Sequence, residues 1–95
     1  MRKYEALLIL PADADEQVVV RVADRITQTL SQRGGQIDKI DRWGRKRLAY
    51  EIARQSEGYY VLVEFTGDPT SITELERVLA LADDVVRHKV VLRAA

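Results

Sequence analysis

"LAYEIARQSEGYYVLVEF", Leu48 to Phe65, holds two alternating runs on either side of a polar turn. Leu48, Tyr50 and Ile52 fall on one parity of the first run. Tyr59, Val61, Val63 and Phe65 fall on one parity of the second, and Tyr60, Leu62 and Glu64 on the other. Alternation with period two is the pattern of a half-buried strand. "RQSEG" between the runs reads as a turn, so two strands follow each other with no room for a helix. The first extends back from Ala53 to Gln36. Ile40 shares the parity of Leu48, but Ile37 does not. A phase slip between Ile37 and Ile40, or a bulge near Gly44, reconciles them.

Outward from this pair the chain is symmetrical. Upstream, Val19, Val22, Ala23, Ile26 and Leu30 recur at helical spacing and Gly34-Gly35 stops the helix. Asp13 and Glu16 have the spacing of a capping box, and Asp15 is the alternative cap. Downstream, "GDPTS" opens a second helix, with Asp68 as cap, Pro69 in its first turn and Ile72, Leu75, Val78, Leu79 and Ala82 as its apolar stripe. Beyond the helices lie two more strands. Arg2 to Leu10 puts Tyr4, Ala6, Leu8 and Leu10 on one face, and Pro11 ends it. Val85 to Arg93 puts Val86, His88, Val90 and Leu92 toward the core and Arg87, Lys89 and Arg93 outward. Strand, helix, strand, strand, helix, strand, with right-handed crossovers, predicts a ferredoxin-like α+β sandwich. Its four-stranded antiparallel sheet carries both helices on one face. The first and third strands are central in that topology.

The 95 residues suffice for one domain, 1–95. Fifteen Lys and Arg balance fifteen Asp and Glu, so any nucleic-acid contact must be a local patch rather than bulk charge. The chain has no cysteine, which removes disulfides, thiolate zinc sites and cysteine nucleophiles and fits a reducing compartment. It has no run of about 20 apolar residues to span a membrane. A cytoplasmic protein is expected. His88, the one histidine, shares a strand face with valines and reads as a core-edge residue. No nucleophile–base pair or metal-ligand spacing is visible, so neither catalysis nor a cofactor is expected.

Two features remain. The face of the sheet away from the helices is not purely polar, because Leu7, Ile9, Tyr60 and Leu62 belong to it. Either a partner covers this group or the chain's own long strand does. Arg42, Arg45, Lys46 and Arg47 place four cations in six residues, with Trp43 and Gly44 between. Arginine forks suit phosphates and an indole stacks on bases or guanidinium groups. Equally, a charged edge strand resists unwanted pairing. "EGYYVLVEF" only faintly matches the third-strand motif of RNA-recognition domains: Glu57 stands at its basic position, Tyr60 at its small one and Val61 at its second aromatic.

Taken together, "MRKYEALLIL", "GGQIDKIDRWGRKRLAYEI", "EGYYVLVEF" and "DDVVRHKVV" resemble the bacterial small-subunit ribosomal protein S-six family from Met1 to about Arg93. The resemblance implies the fold reached above. It also implies a job, binding the central domain of small-subunit rRNA as a heterodimer with ribosomal protein S-eighteen, on the cytoplasmic ribosome and without catalysis. Arg2 matches the family's basic second position. Arg45, Lys46 and Arg47 match its basic stretch before "LAY", Leu48 and Tyr50 match that motif, and Arg87 matches the arginine of its "VxR" ending. The expected RNA contacts are thus Arg2, Lys3, Arg42, Arg45, Lys46, Arg47, Arg87 and Lys89. The expected protein-partner contacts are Trp43, Leu48, Tyr50, Tyr60 and Leu62. Glu51 replaces the proline that many members carry after "LAY", and Ala80 and Ala82 stand where some carry arginines. On this reading the basic half of the long strand extends past the sheet toward RNA, while the apolar half pairs within it. A single-strand RNA binder and a dimerising regulatory domain are the competing readings.

Overall fold

A computed structural model describes residues 1–52 and 54–93, with the side chain of Gln55 excepted. The elements are β1 (Arg2–Pro11), α1 (Glu16–Ser31), β2 (Gln36–Ile52), β3 (Gln55–Gly67), a 3-10 turn (Pro69–Ser71), α2 (Ile72–Leu81) and β4 (Arg87–Leu92). The sheet order is β2-β3-β1-β4, and β2–β3, β3–β1 and β1–β4 are all antiparallel pairs. This is the ferredoxin-like sandwich the residue pattern predicts, with β1 and β3 central.

The core lies between the sheet and the helices. Tyr4, Ala6, Leu8 and Leu10 of β1 and Val61, Val63 and Phe65 of β3 meet Val19, Val22, Ile26 and Leu30 of α1 and Leu75 and Leu79 of α2. Every one of these lies on the parity or helical stripe that its periodicity predicts.

Local chemistry sets the helix ends. Asp15, not the Asp13–Glu16 box, caps α1: its carboxylate accepts from the Val18 N–H at 3.1 Å. Asp15 stands directly before the helix, where the free N–H groups point, whereas Asp13 is two residues too early. At the other end Gly35 N–H donates to Leu30 O and Gly34 N–H to Ser31 O, which closes the last turn as in a Schellman motif. Asp68 caps a 3-10 turn rather than α2 itself, accepting from the Thr70 N–H and hydroxyl. The α-helix begins one turn later, at Ile72. β4 starts at Arg87 rather than Val85, although Val86 N–H already donates to Ile9 O. Leu92, expected in the core, is exposed. It sits on an edge strand opposite Tyr4, whose ring stacks on Phe65 and fills the core at that level.

β2 departs most from expectation. Its register against β3 shifts between Ile37 and Lys39, between Arg42 and Gly44, and between Arg47 and Ile52. The slip and the bulge, raised as alternatives by the parity conflict, both occur; the slip brings Ile37 and Ile40 to the helix side, and the bulge then sends Leu48 to the opposite face, so Ile40 and Leu48 do not share a face as expected. Gly44 takes φ +86° at the second shift, a left-handed conformation that suits glycine at a bulge. The third shift is new. Arg47 pairs with Glu57 and Ile52 with Gln55, so four β2 residues, Leu48 to Glu51, face one β3 residue, Ser56. Arg54 turns the hairpin with φ 63°, and β3 begins at Gln55 rather than Gly58. Ala53, expected as the end of this strand, lies outside the described residues.

The two halves of β2 are therefore reversed from expectation. The basic half, Arg42 to Arg47, runs along β3, and the apolar half overhangs. The cause is where Leu48 packs. It is buried, yet it stands apart from the helix-side core. An added Cβ on Gly58 would meet Ile9 Cγ2 at 2.5 Å and Leu48 Cδ2 at 3.4 Å. Gly58 shares the parity of Tyr60 and Leu62, so Ile9 and Leu48 meet over it on the face away from the helices. The chain's own long strand thus covers one end of that face.

Gly58→Ala is accordingly expected to cost about 1–3 kcal/mol through overpacking, since Ile9 is β-branched and stiff at its first torsion. Urea denaturation measures it. An unchanged midpoint would show that Leu48 and Ile9 do not close over this glycine.

Candidate interface on the open sheet face

Cross-strand pairing lays out the open face in rows. Asp41, Leu62, Leu7 and Lys89 form one row; Gly44, Tyr60, Ile9 and Arg87 a second; Lys39, Glu64, Glu5 and Val91 a third. In the first two rows apolar residues from the two central strands occupy the middle and cations stand at the β4 edge; in the third, Glu64 and Glu5 hold the middle and Val91 the β4 edge. Leu7, Tyr60 and Leu62 are half-buried, with only the covered Ile9 fully so. Two depressions mark the surface. One, of about 370 Å³, is lined by Glu5, Leu7, Trp43, Leu62, Lys89 and Val91. The other, of about 360 Å³, is lined by Leu7, Ile9, Tyr60, Arg87, His88 and Lys89.

Trp43 is the extra residue of the second bulge. Its indole N–H donates to Asp41 Oδ2 at 3.3 Å, and Lys46 Nζ sits 5.0 Å from the ring centroid. Trp43 is 43% exposed and walls the first depression. Trp43, Tyr60, Leu62, Lys46, Arg87 and Lys89 therefore share one face. Tyr50 is also exposed. Its ring approaches Arg87, 6.0 Å from centroid to guanidinium carbon, and its hydroxyl accepts a hydrogen bond from Arg87 Nη1. Leu48, by contrast, is only 7% exposed, because it packs over Gly58 against Ile9, and so does not present itself to a partner.

The basic stretch is not one patch. Alternation along a strand sends neighbours to opposite faces. Arg42 points to the helix side, where its Nη2 meets Glu16 Oε1 of α1 at 2.6 Å. Arg45 donates to Ala12 O at 3.1 Å and lies 3.7 Å from Glu57. Arg47 shares their parity, opposite Glu57, and is exposed. Lys46 alone of the four reaches the open face. Arg2 and Lys3 stand elsewhere again, opposite Gly67 and Thr66. Lys46 pairs with Gly58, and Gly58 with Pro11, so Lys3 and Lys46 are separated by eight residues of β1, roughly 26 Å at strand rise.

Side-chain bonds bind the far end of the sheet. Arg93 bridges Glu5 at 3.4 Å and Glu64 at 2.8 Å. Asp38, the unpaired residue of the first register shift, accepts from the Thr66 hydroxyl at 2.6 Å and from Gln36 at 3.2 Å. The Thr66 hydroxyl holds Asp38 below the ordinary aspartate range; desolvation opposes it, and Gln36, Lys3 and Arg93 push the same way as Thr66. A depressed folded pKa stabilises the protein above the unfolded pKa, and that gain fades as pH falls through the folded value. Thr66→Val is expected to return Asp38 toward its ordinary titration, as carboxyl-carbon NMR would show. An unmoved titration would remove the Thr66 bond as its cause.

Several of these residues escaped sequence reading. Val91 and Glu5 line the first depression, and strand parity alone could have placed them there. The Arg42–Glu16, Arg93–Glu64 and Tyr50–Arg87 contacts join elements distant in sequence and leave no local signal. Among the described residues, no group of three His, Asp or Glu is placed to hold a metal ion. Among the same residues, no helix is long and apolar enough to cross a membrane.

Residues 3–92, nearly the whole chain, match the family model for Ribosomal protein S6. The chain belongs to the ribosomal protein S6 family. The small ribosomal subunit protein bS6 of Moorella thermoacetica is 46% identical over 88 residues, covering 93% of this chain and 90% of that protein. That of Carboxydothermus hydrogenoformans is 42% identical over 91 residues, covering 96% and 95%. Among solved structures, the 30S ribosomal protein S6 of Thermotoga maritima superposes with a TM-score of 0.83 at 29% identity, covering 97% of this chain and 87% of that one. The C-terminal domain of the MgtC protein from Mycobacterium tuberculosis shares the fold at TM-score 0.62 and 14% identity. The fold thus also occurs in a protein of another name, and membership of the S6 family rests on sequence. S6 family membership makes the chain a structural protein of the small ribosomal subunit rather than an enzyme.

Proposed function

We propose that this chain binds the central domain of small-subunit rRNA together with ribosomal protein S-eighteen. The observation that carries the reading is the open face, an apolar centre rimmed by cations. Leu7, Tyr60, Leu62, Val91 and the bulge-borne Trp43 offer the centre to a protein partner. Lys46, Arg87 and Lys89 form a rim suited to phosphate, and no acidic partner holds them among the described residues. Arg47 and Arg2 add phosphate contacts beyond the face, and Lys3 adds one at its far end. Arg42 and Arg45 are engaged with Glu16 and Glu57 and contribute less. A chain of zero net charge binds RNA through few contacts, so two proteins sharing one RNA site fits its composition. Three to four phosphates met by these six cations predict a slope of log affinity against log salt of roughly −2 to −4.

Titration of a labelled central-domain rRNA fragment, with and without S-eighteen, at two salt concentrations tests this. Tight binding only with both proteins is the expected result. No binding in either arm would overturn the reading. A dimer that forms without regard to RNA would put the regulatory-domain alternative in its place.

A further inference from the structure

We infer that Tyr50 is a positioning residue that aims the Arg87 guanidinium at a phosphate of the bound RNA; the inference rests on the RNA-binding function proposed above. Among the described residues, Arg21, Arg42, Arg45, Arg77 and Arg93 each lie against a carboxylate. Arg2, Arg25, Arg33, Arg47 and Arg54 have neither an ion pair nor a side-chain hydrogen bond there. Arg87 alone is held without being neutralised. Its partner is the Tyr50 phenol, which takes one N–H and leaves the charge intact. A guanidinium has five N–H donors, so four stay free for an anion. Fixing the group beforehand reduces the ordering cost of binding.

The overhang of β2 makes this contact possible. β2 and β4 are opposite edges of the sheet, three strand spacings or roughly 14 Å apart. A fully paired Leu48–Glu51 could not reach Arg87. Released from β3 and anchored by Leu48 against Gly58, the segment carries Tyr50 across the face. The depression beside Arg87 also contains Lys89 and His88 and no acidic residue, which favours a phosphate over a neutral or cationic group.

The test measures rRNA-fragment binding in the presence of S-eighteen for Arg87→Ala, Tyr50→Phe and the double variant across a salt series. Arg87→Ala is expected to weaken binding and to lower the magnitude of the salt slope by about 0.7–0.9. Tyr50→Phe is expected to weaken binding roughly two- to tenfold, the worth of one hydrogen bond, with its unfolding midpoint unchanged. The double variant should bind like Arg87→Ala, because the phenol acts only through the guanidinium. Independent, multiplying losses would sink the inference, as would Tyr50→Phe binding like the wild type while Arg87→Ala is weakened. If both variants instead weaken S-eighteen binding without RNA, Arg87 faces a protein carboxylate and the phosphate assignment is overturned. Failure of the wild type to bind RNA would remove the underlying reading itself.

Discussion

Phe65→Ala is expected to lower stability by about 3–5 kcal/mol, a large share of the ~5–15 kcal/mol typical of a native domain. Phe65 is fully buried on the central strand β3. It pairs in register with Tyr4 of β1, and the two rings stack with centroids 5.5 Å apart. Truncation removes the transfer energy of the ring, the aromatic contact, and the packing of atoms on both sides of the cavity it leaves. Relaxation is limited, because the neighbours belong to the two central strands and to the helices that cover them. Urea denaturation at constant m-value gives the number. A loss below about 1 kcal/mol would mean that the ring can be replaced by collapse, and that the helix-side core does not depend on it.

Leu62→Lys is expected to reduce affinity for S-eighteen at least about thirtyfold while leaving the fold largely intact. Leu62 lies at the middle of the open face, opposite Leu7 on one side and Asp41 on the other. A lysine there has Asp41 across the strand pair, so the free protein tolerates the charge. A partner seated on the apolar centre would have to desolvate that charge. The substitution also adds a cation, which by bulk attraction favours RNA. Loss of partner-dependent rRNA binding in spite of that added charge would place the partner on this face. Calorimetry of the two proteins without RNA separates the effects. Wild-type affinity for S-eighteen would move the partner off the open face and leave its apolar residues to the chain's own overhang.

Much of the architecture was legible because it is written in neighbours. Period two in Tyr4–Leu10 and Tyr59–Phe65 and helical spacing in Val19–Leu30 and Ile72–Leu79 each record a single buried face. Burial is the dominant favourable term for such residues, so their faces were predicted correctly. The parity conflict between Ile37 and Ile40 even disclosed the irregularity of β2 before its register was known. Where a prediction concerned residues with little to bury, it was weaker. Asp13 and Asp15 compete for one set of free N–H groups by position alone. Leu92 has the right parity but lies on an edge.

The candidate site divides in the same way. Composition and parity assigned Leu7, Tyr60 and Leu62 to the open face, and family resemblance pointed to Arg87. Only the folded chain separates Lys46 from Arg42 and Arg45, sends the apolar end of β2 over Gly58 and Ile9, and brings Tyr50 to Arg87, 37 residues away. Short-range patterns specify which face of an element is buried, because each residue's burial depends on its own strand or helix. Contacts between opposite edges of a sheet depend on register, bulges and the path of an overhang, and those are decided only when all the strands are in place.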